Sequence, residues 1–101
     1  MNESRAWTDP TRDDRIAGTA RMLEAACRES GHSITGDGRI GDVAAADLLG
    51  FTTSTLANWR TAGQGPTHFR IGGHGYRVTY RLTDLAAWIE SSRIEDQISD
   101  H

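Results

Sequence analysis

The chain has 101 residues, room for one compact domain and a modest extension but not for two domains. Its 37% hydrophobic and 25% charged residues, with three Trp, two Tyr and two Phe, exclude a disordered chain, and no run approaches the roughly twenty apolar residues of a membrane span. The net charge of −3 counts against a nucleic-acid partner only until its distribution is read.

All fourteen Asp and Glu lie at or before Asp47 or at or after Asp84. Residues 48–83 therefore carry Arg60, Arg70, Arg77 and Arg81 without one acid, a charge of +4 with His68 and His74 in reserve, while the remainder is −7. The chain has no Lys, so any phosphate contact falls to arginine. A lone Cys27 excludes an internal disulfide, and no Cys/His spacing suggests zinc, so no metal or other cofactor is expected. The opening MNESRAWTDP lacks the basic-then-apolar build of a signal peptide, which leads us to expect a cytoplasmic protein away from membranes.

Residues 1–11 read as a polar arm, and from about Thr11 to Glu29 a helical period sets Ile16, Ala20, Leu23 and Cys27 on one face. Ser30-Gly31 stops it, and HSITGDGRIG then reads as either a loop or a short hairpin. Asp42 to Leu49 form an Ala-rich helix ended by Gly50, with Asp42 suiting the positive end of its dipole. A second helix follows at once, over residues 53–61, with Thr52 as N-cap, Phe51 and Leu56 as a hydrophobic staple, and Gly63 as stop.

After the loop GQGP, residues 67–71 and 76–80 alternate as a half-buried hairpin. Phe69, Ile71, Tyr76, Val78 and Tyr80 are expected on one face, and His68, Arg70, Arg77, Thr79 and Arg81 on the other, around a tip at Gly72-Gly73-His74-Gly75. Thr83 is expected to cap a last helix, DLAAWIE, which packs Leu85, Trp88 and Ile89 inward. An acidic tail ends the chain.

The B-DNA major groove admits one α-helix, which gives a tight helix pair with a basic hairpin a direct use. In the second helix Asn58 has the donor and acceptor to read adenine, Thr53, Ser54 and Thr55 reach phosphates or base edges, and Arg60 pairs with phosphate. On the hairpin His68, Arg70, Arg77 and Arg81 face the backbone, and His74 at the tip reaches the minor groove.

AADLLGFTTSTLANWR, GQGP, RIGGHGYRVTYR and TDLAAWIE, in that order, resemble the excisionase/AlpA-like and MerR-like winged helix-turn-helix DNA-binding proteins over roughly residues 40–90. The resemblance implies a mainly α fold with a small β-hairpin wing, here with an extra N-terminal helix, serving as a transcriptional regulator or a recombination directionality factor. It implies Thr53, Ser54 and Asn58 as exposed recognition positions, Arg70, His74 and Arg77 as wing positions, and Leu56, Trp59, Leu85 and Trp88 as core. Where the family often carries Arg or Lys this chain holds Thr53 and Ser54, and the first forty residues have no counterpart.

These readings divide the chain into an arm and amphipathic helix (1–36), a winged helix-turn-helix DNA-binding domain (37–90) and an acidic tail (91–101). The expected partner is double-stranded DNA, with a recombinase or RNA polymerase as candidate protein partners. The N-terminal helix either packs on the core or pairs with a second copy. Competing readings are a DNA-recognition and assembly subunit of the phage small-terminase kind and a winged protein-interaction module. No nucleophile, metal or acid/base constellation suggests an enzyme: the GDG at 36–38 lacks a calcium-loop ligand series, and Asp13-Asp14, Asp84 and Glu95-Asp96 lack partners.

Overall fold

A computed structural model describes residues 11–94, which leaves Trp7 and Glu95-Asp96 outside the described residues. Four helices and a three-stranded antiparallel sheet make a mainly helical fold, consistent with a winged helix-turn-helix. Helix α1 (Arg12–Glu29) opens on a capping box in which Thr11 Oγ1 accepts from Asp14 N and the Asp14 carboxylate accepts from Thr11 N. Two donors that a helix start leaves open are thereby satisfied.

Helix α1 buries Leu23 and Cys27 and sets Ile16 and Ala20 against the same core. It lies against α4 (Leu82–Ser91), where Glu90 accepts from Thr19 Oγ1 at 2.9 Å and pairs with Arg15 at 3.5 Å and Arg93 at 3.2 Å. Of the two fates expected for the N-terminal helix, the structure shows packing on the core.

The glycine-rich stretch after α1 makes a turn, Gly38 N donating to Thr35 O at 3.0 Å, and then strand β1 (Arg39–Gly41). Its partner is not local: Arg39, Ile40 and Gly41 stand opposite Arg81, Tyr80 and Thr79. Helices α2 (Asp42–Leu49) and α3 (Thr53–Thr61) take the expected bounds because both junctions are locally capped. Gly50 closes α2 in the left-handed region, and Thr52 Oγ1 accepts from Thr55 N at 3.1 Å to open α3. Leu56 is fully buried, while Phe51 stays exposed and meets the Trp59 ring edge-on at 4.9 Å.

Strands β2 (Phe69–Ile71) and β3 (Arg77–Arg81) form the wing, with β3 central in the order β1-β3-β2. Phe69 stands opposite Thr79, Arg70 opposite Val78 and Ile71 opposite Arg77, so the connection spans 72–76 rather than 72–75. That one-residue difference corrects the expected faces, because directly opposed residues share a face and a single slip exchanges faces between strands. Phe69, Ile71, Arg77, Thr79 and Arg81 share one face; His68, Arg70, Tyr76, Val78 and Tyr80 share the other. Thr79, expected outside, is buried, and Ile71 and Tyr76, expected inside, are exposed.

Strand β3 runs directly into α4, which corrects the expected start of that helix. Arg81 is its N-cap and no side chain caps it; Leu82 N instead donates to Gly38 O at 2.8 Å, and Thr83 is an exposed first-turn residue. The core closes on Ile40, Leu56, Tyr80, Leu85 and Cys27. Trp59 packs against it, and the Trp88 ring lies 5.3 Å from that of Trp59.

Candidate nucleic-acid interface

Burying Leu56 fixes the rotation of α3 and leaves Thr53, Ser54, Asn58 and Thr61 exposed. These form a stripe of short polar side chains suited to close approach. Thr55 is half-buried, its hydroxyl 3.0 Å from that of Thr52, so it serves the helix start. Arg60, expected to pair with phosphate, is half-buried and leans over the sheet, where its Nη1 donates to the Tyr80 hydroxyl at 2.6 Å.

That bond identifies the sheet face turned toward α3 as the one bearing Tyr80, His68 and Arg70. The His68 ring lies 6.2 Å from that of Tyr80, and Arg70 sits 5.1 Å above the Tyr76 ring, a cation–π distance. The opposite face carries Arg77 and Arg81. Arg81 stacks 4.8 Å from the Phe69 ring and is half-buried, while Arg77 is exposed beside the tip, as is His74 within it. The structure thus brings Arg60, His68 and Arg70 together and separates them from Arg77 and Arg81 by the thickness of the sheet.

Among the described residues, none of Arg60, Arg70, Arg77 and Arg81 lies within ion-pair distance of a carboxylate, and neither do Arg12 and Arg21 on α1, whereas Arg15, Arg28, Arg39 and Arg93 do. Burial pushes the His68 imidazole below its usual range, and the guanidiniums of Arg60 and Arg70 push it the same way. Between the end of α3 and the start of β2 lies a notch lined by Arg60, Gln64, Thr67 and His68 together with Gly63, Gly65 and Pro66. The α3 terminus shapes it: Gly63 N donates to Arg60 O at 3.2 Å and Gln64 N to Trp59 O at 2.7 Å.

Residues 44–93 match the family model of a helix-turn-helix domain. The match runs from within α2 through the wing to the end of α4. A helix-turn-helix domain points to sequence-specific DNA binding, with α3 in the position of the recognition helix. None of the curated proteins or solved structures matches the chain. Among the described residues no helix is long and apolar enough to cross a membrane.

Three residues of this surface escape a reading of the sequence. Thr61 was detectable, since it follows Thr53 and Ala57 at helical spacing. Gln64, a polar residue between two glycines, gave a weak signal as part of a loop. Tyr80 gave none, because its alternation marks it as core, and it is core at its ring while its hydroxyl serves Arg60.

Proposed function

We propose that the chain is a sequence-specific double-stranded-DNA-binding protein, acting as a small transcriptional regulator or an excisionase-type recombination directionality factor. Helix α3 lies in the major groove, where Asn58 and Ser54 read base edges and Thr53 and Thr61 meet the groove wall. Arg60, His68 and Arg70 follow one phosphate backbone from the α3 side of the wing, and His74 and Arg77 at the tip reach the neighbouring minor groove. Arg81 contributes by bracing Phe69 rather than by touching DNA.

One observation carries this reading: the exposed polar stripe of α3 adjoins arginines that have no carboxylate partner among the described residues. A directionality factor would add a recombinase as protein partner, and a regulator RNA polymerase. The test is selection of bound duplexes from random DNA, followed by affinity measurements on the winner between about 50 and 200 mM salt. Recovery of one motif whose affinity falls steeply with salt is expected; equal recovery of all sequences, or a flat salt dependence, defeats the proposal.

A further inference from the structure

The notch between α3 and β2 combines three features that a solvated loop does not need together. Its walls carry Arg60 and His68, with Arg70 near enough to His68 to act on its charge. Among the described residues, the charged or titratable groups that face His68 from its packed neighbours are basic or phenolic: Arg60 on α3, Arg70 on β2 and Tyr80 on β3. The third feature is the hold on Arg60, a flexible side chain fixed by a 2.6 Å bond to the hydroxyl of a residue buried completely in the core.

Concentrating cations without a counter-charge is costly unless an anion arrives to share them. Fixing one of them in advance reduces the ordering cost of binding. We propose that this notch is a seat for a single phosphate group, held by Arg60, His68 and Gln64, with Tyr80 as the positioning residue for Arg60. In the protein's work the group is one backbone phosphodiester of duplex DNA, and in that respect the inference rests on the DNA-binding reading.

The seat couples binding to protons. An anion between Arg60 and His68 favours the imidazolium, so His68 takes up a proton on binding and affinity weakens as pH rises through its bound-state midpoint. For a midpoint shift of about one unit the loss is at most about tenfold. The pH dependence belongs to His68 and the salt dependence to the arginines, which makes the two separable.

The test follows the His68 ring by NMR on the full chain through a pH titration, first with inorganic phosphate and then with a short duplex carrying the selected motif. Phosphate should raise the His68 midpoint by about one unit. Arg60→Gln should abolish that rise, and Tyr80→Phe, which removes only the hydroxyl, should weaken phosphate binding several-fold while the remaining spectrum stays native. The duplex should produce the same rise, lost when a single contacted phosphate is replaced by a neutral methylphosphonate. If His68 ignores both phosphate and a duplex that nonetheless binds, the seat is refuted and DNA binding stands. If phosphate moves His68 but no duplex binds, the seat stands and the DNA-binding reading falls.

Discussion

Arg70 stands directly opposite Val78 in the β2–β3 ladder, which places its guanidinium on the α3 side of the wing and Arg77, one strand position away from Val78, on the other. The two arginines therefore meet a bound duplex differently. Arg70→Ala should weaken binding to all sequences alike and lower the slope of log affinity against log salt by about 0.9, the loss of one phosphate contact. Arg81→Ala, on the Arg77 face but stacked on Phe69 rather than on DNA, should leave the slope unchanged. Fluorescence anisotropy over a salt series separates these outcomes.

Asn58 is exposed on α3 and reads a base rather than the backbone in our proposal. Asn58→Ala should cost about 1–3 kcal/mol on the selected motif and blur preference at one base position. Binding to non-specific duplex should not change. Repeating the selection with the variant checks this, and an unaltered motif would remove Asn58 from base readout.

Gly63 and Gly65 both have positive φ, but only Gly65 is crowded: a Cβ there would lie 3.0 Å from Trp59 Cβ. Gly63→Ala should incur backbone strain alone, about 1 kcal/mol. Gly65→Ala should cost more, and it should also alter Trp59 fluorescence as the ring is displaced. Thermal unfolding with tryptophan emission measures both.

Two carboxylates give the fold an acid-sensitive component. Hydrogen bonds from Arg39 and Thr35 lower Asp37 to about 2, and a hydrogen bond from Thr19, helped by Arg93 and Arg15, lowers Glu90. A depressed folded-state pKa stabilises above the ordinary carboxylate range, and that stabilisation is lost as pH falls through the folded value. Stability should decline below about pH 4, and Asp37→Asn or Glu90→Gln should flatten the decline. Chemical denaturation at a series of pH values provides the comparison.

The helix pair was legible because its signals are local. Thr52, Gly50 and the Leu56 spacing act within one or two turns, and α2 and α3 take the bounds they predict. Strand β1 was not legible, since three residues carry no period and their partner, β3, lies on the far side of the helix pair. The wing faces differ from the expected ones through the length of the tip, where three glycines and His74 suggested a connection that Tyr76 in fact extends. The same slip hid the neighbourhood of Arg60, His68 and Arg70, which a long-range hydrogen bond from Arg60 to the Tyr80 hydroxyl holds and no spacing announces.

The passage of β3 into α4 without a connecting loop leaves no hinge at the base of the wing. Adding or deleting a residue there would rotate the strand's side chains against the helix and disrupt both. The glycine-rich tip has no such constraint, because it is exposed and only Tyr76 lies near its glycines. Length change is therefore confined to one end of the hairpin, and in the proposed complex the reach along a duplex can be re-engineered at the tip while the stance on the groove stays fixed.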